Sequence, residues 1–254
     1  MARTRYSVLT IDGGGIRGVV PAKLLTEIES RMKRPASELF DMIAGTSTGG
    51  IIALGLSKPV PGGGRPEYSA SDLLELYVDH GRELFPDSLA RKVRSLWGLA
   101  DVRYPVAPLE ALLKDKFGDT NLSEALVEVV IPSYDLSKPG PFFFKRSYTL
   151  DDEAYDVKMW LVARATSAAP TYFEPARVAA FKQEGDHALV DGGTYANNPA
   201  VAAYADSMSR WADDAEINVV ALGTGQPLVR PHHVRAGRAR AVDAVRGGGA
   251  RVLR

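Results

Sequence analysis

The stretch that most constrains this chain is Gly45-Thr46-Ser47-Thr48-Gly49. The apolar run Leu39-Phe40-Asp41-Met42-Ile43-Ala44 precedes it and reads as a buried strand. The run Gly50-Ile51-Ile52-Ala53-Leu54-Gly55-Leu56 follows it and reads as a buried helix. Strand, tight turn and helix around G-x-S-x-G is the setting of a nucleophile elbow. The glycines leave room for a turn too sharp for side chains, and the turn lifts the serine hydroxyl clear of the sheet. Alone, the pattern also fits a turn with no chemistry, so its meaning depends on what else the chain carries.

A second segment, Asp12-Gly13-Gly14-Gly15-Ile16-Arg17-Gly18, follows the strand-like Tyr6–Ile11 and leads into a helix from about Val19 to Met32. Amide groups exposed at a helix N-terminus attract negative charge. Residues 13–18 satisfy G-x-G-x-x-G, so nucleotide or phosphate binding is a rival use of the loop. The dinucleotide fingerprint wants an acid about 20 residues on, at the end of the second strand. Glu38 stands at that distance but precedes the strand, and the Lys-Ser/Thr ending of a phosphate-binding P-loop is absent. An oxyanion hole, with amides aimed at a developing alkoxide, makes better use of these glycines. The third segment is Ala188-Leu189-Val190-Asp191-Gly192-Gly193. Its aspartate ends a strand with no side chains beside it and can approach another loop closely, although in isolation such a turn aspartate is structural.

Together the three segments resemble the patatin-like phospholipase family. The resemblance is carried by Asp12-Gly-Gly-Gly-Ile-Arg-Gly18, Gly45-Thr-Ser-Thr-Gly-Gly50 and Asp191-Gly-Gly193. It is supported by Ala165-Thr-Ser-Ala-Ala-Pro-Thr-Tyr-Phe173, Asn197-Asn-Pro199 and Leu222-Gly-Thr-Gly225, in the family's order over roughly residues 5 to 225. It implies a three-layer α/β/α fold around a mainly parallel sheet. It implies a Ser–Asp dyad without a catalytic histidine, with Ser47 as nucleophile and Asp191 as base. The amides of Gly13, Gly14 and Gly15 would form the oxyanion hole, with Arg17 as a positive support. Gly18, Gly45, Gly49, Gly192 and Gly193 would hold the motifs in shape. The implied substrate is a phospholipid or other lipid ester, and no cofactor is implied. The family includes bacterial effectors gated by small nucleotides; no residue here identifies such a sensor.

The residues themselves agree with this assignment. Of the four histidines (His80, His187, His232, His233), only the last two could complete a triad in the order Ser…Asp…His. They lie in a segment with no strand-like signal to hold an imidazole. An exposed aspartate, with a pKa of about 3.9, is a weak base at neutral pH. Burial beside apolar neighbours such as Leu189 and Val190 raises it. Cysteine is absent and no histidine–carboxylate cluster has ligand spacing, so no metal is expected.

Composition bounds the rest. A chain of 254 residues with 45% hydrophobic and 24% charged content is an ordinary globular chain. Its net charge of zero gives nucleic-acid binding no general support. The absence of cysteine fits a reducing compartment. Arg3-Thr4-Arg5 leads straight into the first strand without a signal-peptide-like apolar stretch, and no apolar run approaches a transmembrane helix. The expectation is a cytoplasmic enzyme that visits a membrane surface peripherally. Strand-like runs (6–11, 39–44, 127–133, 142–145, 187–190, 217–222) alternate with helical ones (about 19–32, 49–56, 71–85, 106–117, 157–166, 199–211). Such alternation argues a mainly parallel sheet with helices on both faces. Asn198-Pro199 reads as a cap followed by proline at the first helical position.

Residues 5–228 read as one acyl hydrolase domain, and 229–254 as a solvated, arginine-rich tail with seven arginines against one acid, Asp243. The Gly-rich stretch 59–66 reads as a surface loop. Residues 87–97 place Leu89, Val93, Leu96 and Trp97 at helical spacing with Arg91, Lys92 and Arg94 among them. That pattern fits a core-packed surface helix or one resting on an anionic membrane. A short-chain carboxylesterase or thioesterase using the same dyad is the nearest alternative function.

Overall fold

The computed structural model describes residues 5–85, 105–179, 181, 185–211 and 215–225. The 87–97 segment, His232, His233 and the arginine-rich tail lie outside the described residues. Among the described residues seven strands join in one sheet. Strands β1 (Arg5–Ile11), β2 (Met42–Gly45), β3 (Glu128–Asp135) and β7 (Glu216–Leu222) run parallel in the spatial order β7-β1-β2-β3. Strands β4 (Gly140–Lys145) and β6 (Asp186–Asp191) run antiparallel to β3. Strand β5 (Ala176–Ala179) is antiparallel to β6 and so points along β3 again.

The helices are α1 (Val19–Met32), α2 (Ala36–Leu39), α3 (Thr48–Ser57), α4 (Ala70–Leu84), α5 (Ala107–Phe117), α6 (Arg146–Asp151), α7 (Met159–Thr166) and α8 (Ala200–Arg210). Side chains alternate across a strand, and the sheet sorts them into two cores. Leu9, Ile11, Ile43, Val129 and Ile131 pack against Leu25 of α1, Ile52 of α3, Leu73 of α4, Leu113 of α5 and Val162 of α7. On the other face Val8, Met42, Ala44 and Val130 meet Ala203 of α8. This is the three-layer arrangement that the alternation implied. Every residue of α3 is buried, as an all-round apolar helix requires.

Local chemistry explains most boundaries. Helix α4 starts at a reciprocal capping box between Ser69 and Asp72. Pro199 sits just before α8 instead of inside it, and Asn198 Oδ1 accepts the Ala200 N–H at 2.9 Å. Strand β5 escapes a sequence reading because Ala-Arg-Val-Ala has only two inward side chains, Ala176 and Val178. The 59–66 loop is closed by a Pro59–Pro66 bridge and by the Lys58–Glu67 ion pair.

Strand β3 fixes how its neighbours meet. Val130 pairs with both Ala44 of β2 and Lys145 of β4, so those strands lie on opposite edges of β3. Ser133 pairs with both Phe142 of β4 and Asp191 of β6, so β4 and β6 are opposite too. Strands β2 and β6 therefore share one edge of β3, end to end. They run in opposite directions, and their C-terminal ends face each other across Ile131 and Pro132.

Candidate active site

Ser47 follows β2, and Asp191 closes β6. The head-on meeting of these strands places Ser47 Oγ 2.6 Å from Asp191 Oδ2. Each residue is only 7% exposed, so a proton passing between them does so away from bulk water. Ser47 has φ 55°, ψ −120°, a conformation costly for a residue with a side chain. Close approaches enforce the turn. A Cβ on Gly45 would stand 2.0 Å from Gly49 O, and one on Gly49 would stand 2.2 Å from Ile11 O. Ser47 N–H donates to Thr166 Oγ1 at 3.0 Å, and that hydroxyl donates to Pro132 O at 2.6 Å. Thr166 thus bridges the gap in the ladder where β2 has ended and β6 has not begun.

Asp191 Oδ1 accepts the Gly193 N–H at 2.7 Å, and the Asp191 amide is tied to Ala168 O. Burial pushes its carboxyl up to about 6; the hydrogen bonds from Ser47 and Gly193 only partly offset this. Gly192 has no room for a side chain, since a Cβ would lie 2.4 Å from Pro132 O. His187, four residues upstream on β6, is committed to Asp135, with Nδ1 2.6 Å from Oδ2. Among the described residues no group of three or more His, Cys, Asp or Glu side chains is arranged to hold a metal ion.

The glycine loop lies alongside, and a Cβ on Gly13 would come within 3.4 Å of Ser47 Cβ. Its amides divide into two kinds. Gly13 N–H donates to Asn197 O at 2.9 Å. Those of Gly14 and Gly15 have no hydrogen-bond partner among the described residues, and both residues line the same cavity as Ser47 and Asp191. Arg17 does not reach into that cavity. Its Nε donates to Gly14 O and its Nη1 to Gly225 O, so it braces the loop from behind. Gly18 is packed beneath Thr48 and Tyr77.

The cavity measures about 490 Å³. Its polar end is Ser47, Asp191 and the amides of Gly14 and Gly15; its walls are apolar, with Ile16, Phe85, Pro170 and Phe173. No residue of the 59–66 loop lines it. The sequence motifs pointed to Ser47, Asp191 and the glycines. They assigned no task to Thr166, Asn197 or Thr224, although all three stand inside the supporting segments.

Comparison with known proteins adds an independent line. A family model described as patatin-like phospholipase matches residues 9–204. Patatin-like protein 2 of Arabidopsis thaliana is 39% identical over 215 residues, covering 78% of this chain and 51% of that protein. Patatin-like protein 3 of the same plant is 35% identical over 221 residues, covering 79% and 51%. The chain spans about half the length of the curated relatives it matches. Among solved structures, VipD from Legionella pneumophila is similar in fold, with a TM-score of 0.50 and 13% identity over 86% of this chain and 50% of that one.

Proposed function

Because the chain belongs to the patatin-like phospholipase family, we propose that it is a serine lipid acyl hydrolase whose working pair is Ser47 and Asp191. The observation that carries this reading is the buried 2.6 Å contact between the two side chains at the polar end of an apolar cavity.

Ser47 Oγ attacks the ester carbonyl carbon as its proton passes to Asp191 Oδ2. A carboxylate raised to about 6 by burial is a better proton acceptor than an exposed one, yet stays mostly ionised at neutral pH. The negative charge that develops on the carbonyl oxygen falls to the amides of Gly14 and Gly15. Collapse expels the alcohol, which takes the proton from Asp191 and leaves the acyl group on Ser47. Water then attacks the acyl-enzyme, giving its proton to Asp191; the fatty acid leaves and Ser47 recovers its hydrogen. Pairing of His187 with Asp135 supports a two-residue mechanism.

The apolar walls favour a fatty-acyl chain over a short one. Phospholipid or another lipid ester is the substrate class, and reaching it calls for peripheral contact with a membrane. Among the described residues no helix is long and apolar enough to cross one. The nucleotide-binding alternative draws little support from the loop, because the Gly13 amide is engaged and Arg17 is turned onto backbone carbonyls.

A fluorophosphonate probe should label Ser47 in the wild type. Mixed phospholipid vesicles should release fatty acid, identified by mass spectrometry, and Ser47→Ala should release none. Labelling at a different serine, or undiminished release by the alanine variant, overturns the assignment. Hydrolysis of p-nitrophenyl butyrate with intact vesicles would shift it to a short-chain esterase.

A further inference from the structure

Strand β7 ends at Leu222, and Gly223-Thr224-Gly225 follow it, beyond the residues 9–204 that the family model matches. Three hydrogen bonds fasten this end to the glycine loop. Asp12 N–H donates to Leu222 O at 3.0 Å, Thr224 Oγ1 donates to Gly13 O at 2.9 Å, and Arg17 Nη1 donates to Gly225 O at 2.5 Å. Thr224 is buried, at 6% exposure. It also lies flat against Gly14, where a Cβ would meet Thr224 Oγ1 at 2.3 Å.

The middle bond has a directional effect. In a trans peptide the C=O and the following N–H point in opposite directions, and the described chain has no cis peptide. The Gly13 carbonyl is held behind the loop by Thr224, with a longer contact from Asn197 Nδ2 at 3.4 Å. Holding that oxygen back turns the Gly14 N–H forward, toward the cavity that Gly14 lines. The next peptide plane repeats the device. Gly14 O accepts from the Arg17 N–H at 3.2 Å and from Arg17 Nε at 3.4 Å, which turns the Gly15 N–H forward.

We propose that Thr224 is a positioning residue for the oxyanion site: its hydroxyl sets the Gly13–Gly14 peptide plane so that the Gly14 amide faces the substrate oxygen. This rests on the reading of Ser47 and Asp191 as an acyl-transfer pair. The segment that follows β7 is therefore part of the catalytic apparatus, although it contributes no atom to the dyad.

The test compares wild type, Thr224→Val and Thr224→Ser on p-nitrophenyl butyrate. It also measures inhibition by an alkyl trifluoromethyl ketone, which forms a tetrahedral adduct on the serine and places an oxyanion in the site. Thr224→Val keeps the shape and removes the donor. It should lower kcat about tenfold or more, leave KM within about twofold, and weaken ketone inhibition in proportion to kcat. Thr224→Ser should restore both. A purely structural role would lower the melting temperature without this split between kcat and KM. If Thr224→Val does not fold, Thr224→Ala removes the hydroxyl without adding bulk and carries the same readouts. Equal kcat and equal ketone inhibition in wild type and the hydroxyl-free variant overturn the inference alone, as does a loss that Thr224→Ser fails to restore. A wild type that hydrolyses no ester and takes no fluorophosphonate overturns the reading of the site, and this inference with it.

Discussion

The hydroxyl of Thr166 accepts the amide proton of Ser47 at 3.0 Å, and this is how the protein holds that serine in a strained turn. The same hydroxyl donates to Pro132 O, so one side chain satisfies two backbone groups that no strand pairs. Thr166 is fully buried, and water cannot replace it.

Thr166→Val should therefore be damaging despite its matched shape. Two buried backbone groups lose partners, at a cost of about 1–3 kcal/mol for each such group. Turnover on a soluble ester should fall about tenfold as Ser47 drifts from its attack geometry. Thr166→Ser should recover most of both. Thermal unfolding and initial rates on the three proteins check this; a valine variant with wild-type rates would show that the elbow holds itself.

Asp191→Asn should trade activity for stability. The amide cannot accept the Ser47 proton, so turnover should fall by about 10² or more. Burial raises the Asp191 pKa in the folded protein to about 6, against 3.8 for the free group. The folded state thus binds more protons than the unfolded chain between those values, and stability is lost as pH rises through that window. At pH 7 the buried charge costs on the order of 2–3 kcal/mol. Removing it should make the asparagine variant more stable than wild type at pH 7, with the advantage gone near pH 4. Denaturant unfolding at the two pH values measures it; no gain at pH 7 would mean the charge is well solvated.

The same shift sets the pH profile. The base must be ionised, so kcat/KM for a soluble ester should rise with pH to a plateau above about 6. Below that value it should fall about tenfold per unit. A plateau extending down to pH 4 would mean that Asp191 is not the titrating base.

Adjacent glycines should respond differently to alanine. Gly15 has φ 58° but no clash for an added Cβ, the nearest described atom being Phe85 Cδ1 in ordinary contact at 3.5 Å. Gly15→Ala meets mainly a backbone cost of about 1–2 kcal/mol. In Gly14→Ala the methyl would collide with Thr224, so the loop must shift. Rate loss should be larger for Gly14→Ala, as steady-state kinetics on the purified pair would register. The reverse order would place the clash elsewhere.

Much of this was legible in the sequence, for a physical reason. The glycines, Ser47 and Asp191 announce themselves because tight turns and strand ends demand particular residue types at fixed spacing. The buried strands and α3 show as apolar runs. Strand β5 and helix α6 do not, being too short to set a period. Nor could the string reveal that Gly13 donates to Asn197 while Gly14 and Gly15 find no partner among the described residues, because that depends on which peptide planes distant residues pin. Arg17 illustrates the difference. Its charge suggested support for an oxyanion, but its guanidinium bonds two backbone carbonyls and braces the glycine loop.

The end-to-end placement of β2 and β6 on one edge of β3 makes that strand a ruler. The separation of Ser47 from Asp191 is set by the two residues, Ile131 and Pro132, left between the pairings of β2 and β6. One extra residue there would move the carboxylate about 3.3 Å and turn it to the other face of the sheet. The exposed loops in the stretches that join the three strands carry no such measure. Insertions in the exposed 59–66 loop leave this spacing alone, whereas a single insertion inside β3 shifts it. Sequence drift in such a protein should thus be punished least in the exposed loops between Ser47 and Asp191, and most inside β3.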